Sequence, residues 1–205
     1  MLFRSWVAQG GVTYKPIEKI DMKLVGAYQG YGNIKNGFTG GNANNTNNTN
    51  SQQTGATALK YDYSAPVAAA EIGFNDPFGE LLPAPIYIPR IGFFGEGTKN
   101  PSPDGNVLSS AWMAGAYMGN SKVSGFGTWK ATWAYKYLGK DAWLDVLPDS
   151  DFYSGNTDVK GHEGILEIGL AKNMTFVVDY YHAERIKAAA HAPEHVIQYD
   201  INWKF

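Results

Sequence analysis

The sequence predicts an all-β fold, an antiparallel membrane-spanning β-barrel, and three observations carry that prediction. Apolar and polar side chains alternate with a period of two over several segments of about ten residues in the 205-residue chain. The connections between these segments sort into short and long ones that take turns along the chain. Charged residues make up only 18%, while aromatics reach 14% and glycine 24 residues, at a mean hydropathy of −0.30. Soluble domains carry roughly 25% charged residues, so the low charge here is offset by uncharged polar positions and not by one greasy segment. Cysteine is absent, which excludes a disulfide framework, a Cys-ligated metal and a thiol nucleophile. Lys and Arg number 17 against 19 Asp and Glu, a net charge of −2. No bulk basic field is available for nucleic acid. The length fits a single domain over residues 1–205.

The segments follow in order. Trp6, Ala8, Gly10, Val12 and Tyr14 share one face of the first strand. In the second, Ile20, Met22, Leu24, Gly26 and Tyr28 alternate with Asp21, Lys23, Val25, Ala27 and Gln29. Ala68, Ala70, Ile72 and Phe74 oppose Val67, Ala69, Glu71 and Gly73 in the third. The fourth, Ile86 to Glu96, contains Pro89, which a central strand tolerates poorly. Trp112, Ala114, Ala116 and Met118 mark the fifth, and Trp129, Ala131, Trp133, Tyr135 and Tyr137 the sixth. Gly164, Leu166, Ile168 and Leu170 mark the seventh; Met174, Phe176, Val178, Tyr180 and His182 mark the eighth. The ninth is the clearest: Ile197, Tyr199, Ile201, Trp203 and Phe205 alternate with Val196, Gln198, Asp200, Asn202 and Lys204. Such strands are about twice the length usual in soluble domains and match the 9–11 residues that cross a bilayer. No apolar run approaches the roughly 20 residues of a spanning helix; Ala65 to Phe74 is interrupted by Pro66 and Glu71.

Short connections are Lys15–Lys19, Asn75–Pro85, Asn120–Gly125 and Ala171–Asn173; long ones are Gly32–Lys60, Gly97–Ser110, Gly139–Val159 and Ile186–Glu194. Sorting of this kind is how membrane barrels are built, with periplasmic turns at one end and extracellular loops at the other. The stretch Asn33–Ala56 holds eight Asn and four Gly in 24 residues, too polar to form a core. It is expected on the extracellular side, together with Lys140–Asp158.

Lys140–Phe152 (KDAWLDVLPDSDF) and Gly155–His162 (GNTDVKGH) resemble a family of outer-membrane porins of Gram-negative bacteria. In that family a strand with an aromatic-basic repeat leads into a loop of this kind. Ala111–Gly115, Trp129–Leu138, Asn173–Arg185 and Gln198–Phe205 continue the resemblance, which is close over about 110–205 and looser before that. It implies a water-filled channel for passive diffusion of small hydrophilic solutes and ions, in a barrel of about 16 strands. It further implies contact with outer-membrane lipid and lipopolysaccharide, a homotrimer, and recognition of the terminal Phe205 by the barrel-assembly machinery. About nine strands are half of such a barrel. The first and ninth would run the same way, whereas single-chain bacterial barrels have even strand numbers. Met1–Gly11 also lacks the pattern of a secretory signal. The chain is therefore expected to be the C-terminal part of a longer porin. A small, filled, non-conducting barrel that adheres through its long loops is the alternative.

No catalytic constellation emerges, and neither enzymatic activity nor a cofactor is expected. His162, His182, His191 and His195 invite a metal reading, but His182 and His195 fall on apolar faces near strand ends, where histidine is read as interfacial, and no metal site is expected. Asp149, Asp151 and Asp158 with Gly155 miss the EF-hand spacing. The chemistry is expected on the polar strand faces. Lys23, Glu71, Arg90, Lys130, Lys136, Glu163, Glu167, Asp179, Arg185 and Asp200 are the candidate pore-lining residues, with Asp21 and Glu96 on the same faces. Their near balance of sign predicts weak ion selectivity. Trp6, Trp112, Trp129, Trp133, Tyr135, Tyr180, Trp203 and Phe205 are the candidate aromatic girdle. Lys140–Asp158 either folds inward as a constriction, with Asp141, Asp145, Asp149 and Asp151 facing Lys130, Lys136 and Arg185, or packs its apolar residues on the barrel rim.

Overall fold

The computed structural model describes residues 4–32, 34–37, 49–54, 58–81, 87–103, 105, 108–187 and 192–204. Nine strands run through it: β1 (Arg4–Ile17), β2 (Ile20–Gly32), β3 (Ala65–Asn75), β4 (Arg90–Lys99), β5 (Ser110–Gly119), β6 (Trp129–Leu138), β7 (Val159–Ala171), β8 (Met174–Arg185) and β9 (Glu194–Trp203). They form one sheet in sequence order, each antiparallel to its neighbours. Among the described residues β1 pairs only with β2 and β9 only with β8. One four-residue helical turn, Ile34–Gly37, two 3₁₀ turns and an isolated antiparallel bridge between Gln52 and Leu59 complete the described secondary structure.

Every segment with period-two alternation is a strand. Differences from the sequence reading lie at the ends. β4 starts at Arg90, just past Pro89, because proline has no N–H to give the ladder; Ile86 is outside the described residues. β7 starts at Val159, four residues before the expected Glu163, since Leu138 pairs with Val159 and extends the ladder. β9 ends at Trp203. Phe205 and His191 lie outside the described residues, as do residues 33, 38–48 and 55–57 in and beside the Asn/Gly-rich stretch. Two of the expected short connections are tight, residues 18–19 between β1 and β2 and 172–173 between β7 and β8. The other two are not: residues 76–89 join β3 to β4 and 120–128 join β5 to β6, while the expected long connections 100–109 and 186–193 are both shorter than 76–89, so length sorts the two ends of the sheet only in part. Asn173 between β7 and β8 takes a left-handed φ of 61°, which Asn accepts at little cost. Both register shifts, between Tyr14 and Ile17 and between Gly169 and Ala171, sit next to the two tight turns.

Among the described residues the middle of the sheet gathers no buried apolar cluster. Instead one of its faces carries large apolar side chains in the open: Trp6 is 56% exposed, Trp133 50%, Tyr199 67% and Trp203 68%. Leaving such a side chain in water forgoes about 1.5–3 kcal/mol, so this face is built for an apolar surrounding. The buried apolar clusters lie at the long-loop end. Ile34, Leu59, Tyr61, Tyr63 and Leu144 make one; Phe152, Val159, Tyr181 and Ala183 make the other.

Candidate functional site

Cross-strand partners share a face of a sheet, so the register assigns every strand residue to a side. One line of partners runs Lys23, Glu71, Phe94, Gly115, Ala134, Glu163, Tyr181 and Val196. A parallel line nearer the short turns holds Asn75, Arg90, Lys130, Glu167 and Asp200. Asp179 and Arg185 alternate with the residues of β8 on the opposite face and belong to the same side as Tyr181. All ten candidate polar residues therefore lie on one face. Trp6, Trp112, Trp129, Trp133, Tyr135, Tyr180 and Trp203 fall on the other. There they form cross-strand stacks: Trp112 lies 5.5 Å from Tyr135 and 5.9 Å from Tyr137, and Trp6 lies 5.4 Å from Tyr28. His162, His182 and His195 sit side by side on the same face, His182 and His195 with ring centres 4.7 Å apart. Among the described residues no group of three His, Asp or Glu has a metal-binding arrangement.

Two clusters organise the polar face. The first spans β2 to β6 near the short turns. Arg90 faces both carboxylate oxygens of Asp21, donates to Asn75 at 2.8 Å and donates through Nε to the Tyr117 hydroxyl at 2.8 Å. Tyr117 in turn donates to Glu71 at 2.6 Å. Lys130 covers the Tyr117 ring at 5.0 Å. Two glycines make this possible. A Cβ at Gly73 would overlap the Arg90 guanidinium, and one at Gly92 the Tyr117 ring. Both long side chains thus lie close over the backbone of the sheet, Arg90 across Gly73 and Tyr117 across Gly92. Lys23 is the cross-strand partner of Glu71, and Lys130 of Glu167. Asp200 lies opposite Val177 at the exposed β9 edge.

The second cluster joins the sheet to the segment 139–158. Lys136 pairs with Glu163 at 2.9 Å and approaches Asp149 at 3.7 Å. The Tyr181 hydroxyl donates to Asp179 at 3.0 Å and to Asp149 at 3.3 Å. Lys136 lies over the rings of Phe152 and Tyr181, at 5.2 Å and 5.6 Å. The middle of the loop is therefore seated on the polar face, with Phe152 buried against Tyr181.

The four loop carboxylates do not act as one set, and the burial of two of them in a polar anchor is neither of the expected arrangements. Asp149 meets the polar face, and its Oδ1 accepts the Asp151 N–H at 3.0 Å in a tight turn. Asp141 and Asp145 face no opening; both are buried in a polar anchor. Asp141 accepts from Ser51 N–H and Oγ at 2.7 and 2.6 Å and from the Tyr63 hydroxyl at 2.7 Å. Asp145 accepts from Thr49 N–H at 2.8 Å. Asn50 closes the anchor, donating to the carbonyls of Lys140 and Trp143 at 2.7 and 2.9 Å and accepting from Asp145 N–H at 2.9 Å. Burial and the Asp141 carboxylate beside it push the Tyr63 phenol far above its ordinary range. Burial likewise raises the Asp158 carboxyl, against the pull of Arg185, which itself donates to the Thr157 carbonyl at 2.7 Å. Arg185 thus faces the loop's end, and not an opening.

Tyr117, Tyr181 and Tyr63 are the site residues that sequence reading missed. Tyrosine counts as apolar in a periodicity argument, yet Tyr181 shares its parity with Asp179 and Arg185 in β8, whereas Tyr117 shares its own with Met113, Gly115 and Gly119 and gave no such sign. For Tyr181 that parity was the available signal. Comparison with curated proteins returns no match, and neither does comparison with solved structures. A family model described as "Putative porin" matches residues 90–205, from the start of β4 to the end of the chain. Since that match covers more than half of the 205 residues, the chain belongs to this family of porins.

Proposed function

We propose that the chain forms the C-terminal part of an outer-membrane porin that passes small hydrophilic solutes and ions by passive diffusion. One observation carries this reading: ten candidate charged residues on one face of nine long strands, and seven candidate aromatics on the other. A ten-residue strand is about 33 Å long and, tilted by roughly 40°, stands about 25 Å tall, the height of a barrel's apolar band. Lys or Arg directed at lipid would cost about 2–4 kcal/mol each at mid-membrane, so the charged face is the wall of the aqueous lumen. The aromatic face then meets lipid, with lipopolysaccharide at the level of the long loops. Asn33–Ala56 and Lys140–Asp158 lie on the extracellular side.

The parity of the sheet supports the larger barrel. β1 and β9 run in the same direction, so an all-antiparallel closure takes an odd number of further strands. Seven more make sixteen. An eight-stranded interior would be filled by side chains and conduct poorly, so a conducting pore goes with the larger barrel. The protein acts without enzymatic chemistry or cofactor, Phe205 serves as its assembly signal, and protomers associate as trimers. Planar-bilayer recording of the complete protein tests the reading. Stepwise, ohmic conductance is the expected result. A folded, detergent-embedded protein that never conducts would replace it with the non-conducting adhesive barrel.

A further inference from the structure

Between the seated loop and strands β4 to β6 lies a cavity of about 350 Å³, within the size range of small-molecule sites. Met113, Leu138, Trp143 and Phe152 give it an apolar and aromatic wall; Glu96 and Asp149 stand at it as carboxylates. Lys136, the cation at the same cavity, is engaged by Glu163 at 2.9 Å and lies near Asp149. Glu96 is exposed and has no partner among the described residues. The unbalanced charge of the cavity is therefore negative, and it is Glu96. The cavity also shows how it treats a cation, because the Lys136 ammonium lies over the faces of Phe152 and Tyr181.

We propose that this cavity is a binding station for amphipathic organic cations, in which an ammonium or guanidinium group meets Glu96 while its apolar body lies against Trp143 and Met113. The inference rests on the porin reading, since it names the solute class that the lumen retains. A neutral apolar solute would leave Glu96 unpaired, and an anion would face both carboxylates. An inorganic cation has no apolar body to lay against Trp143 and Met113.

Benzyltrimethylammonium, benzyl alcohol and benzenesulfonate are matched probes of the three charge types. Tryptophan fluorescence of the complete protein in detergent reads binding, and bilayer current reads block from the side of the long loops. The expected result is saturable binding and block by benzyltrimethylammonium alone, with the half-saturating concentration rising about tenfold in Glu96→Gln. The fluorescence response should vanish in Trp143→Phe. Equal binding of the three probes, an unchanged Glu96→Gln variant, or no fluorescence response overturns the proposal. A channel that conducts yet ignores the ammonium probe removes the station and keeps the porin. A protein that binds the probe through Glu96 yet passes no current keeps the station and removes the porin.

Discussion

Arg90 on β4 and Asp21 on β2 meet across the intervening strand β3, two guanidinium nitrogens against two carboxylate oxygens, because Gly73 between them has no side chain. The pair is mostly covered, with side-chain exposures of 11% and 20%. Removing Arg90 would leave Asp21 with Asn75, which donates to it at 3.2 Å, and no paired cation, and Glu71 with Tyr117 and the register neighbour Lys23. Arg90→Ala is therefore expected to destabilise the fold by roughly 2–4 kcal/mol, near the lower end of the cost of breaking a buried pair. Arg90→Lys should recover little, since one ammonium cannot reproduce the planar fork. Denaturant unfolding in detergent checks both.

Gly73→Ala tests the same arrangement from beneath. The added methyl group overlaps the guanidinium, and overpacking of this kind costs about 1–3 kcal/mol. In an Arg90→Ala background there is no guanidinium left to displace. The double variant should thus be clearly less destabilised than the sum of the singles, and additive costs would refute the role given to Gly73.

Asn50 holds the loop anchor through three hydrogen bonds to residues ninety or more positions away. Asn50→Ala leaves two carbonyls and one N–H without their partner, at a cost of about 1–3 kcal/mol for the buried groups. Faster proteolytic cleavage within residues 140–158 is the expected signature, with the strands still protected. An unaltered digestion pattern would contradict the anchor.

Asp158 gives a pH dependence whose sign follows from its burial. Its carboxyl is raised above the ordinary 3.8, so the folded state holds the proton more tightly than the unfolded chain. That contribution is fully present below 3.8 and is lost as pH rises through the folded value. Its Oδ1 has no hydrogen-bond partner and its φ is 64°, a conformation Asn also accepts. Asp158→Asn should accordingly be no less stable than the parent at pH 7. It should also lose this part of the stability gained on acidification. Thermal midpoints at pH 7 and pH 4.5 decide the matter.

Asp149 is the loop carboxylate that faces the polar side of the sheet, opposite Lys136. Asp149→Asn is expected to lower the preference for cations over anions, and Lys136→Met to raise it. Each shift is about twofold at most, because salt screens a single charge in a wide pore. Reversal potentials under a salt gradient measure it; unchanged potentials in both variants would remove Asp149 and Lys136 from the conducting path.

All nine strands were legible because a side-chain period of two survives without knowledge of any partner strand. The same periodicity sorted Lys23 through Asp200 from the aromatic set. The anchor was illegible for the complementary reason. Asn50, Ser51 and Tyr63 meet Asp141 and Asp145 across 78 to 95 residues, and hydrogen bonds of that kind leave no local pattern. Asp141 and Asp145 therefore looked the same as Asp149 and Asp151, although burial separates them. Tyr117 and Tyr181 were obscured by chemistry, since each presents an apolar ring and uses a polar hydroxyl.

The Asn50 anchor ties together two loops that belong to different hairpins, one between β2 and β3 and the other between β6 and β7. Surface loops ordinarily drift in sequence faster than the strands that carry them. Here neither can drift alone. A change at Thr49–Ser51 removes partners of Lys140–Asp145, so the two segments hold their shape as one unit. Grafting either into another barrel without its companion would transfer a loop that no longer keeps its shape.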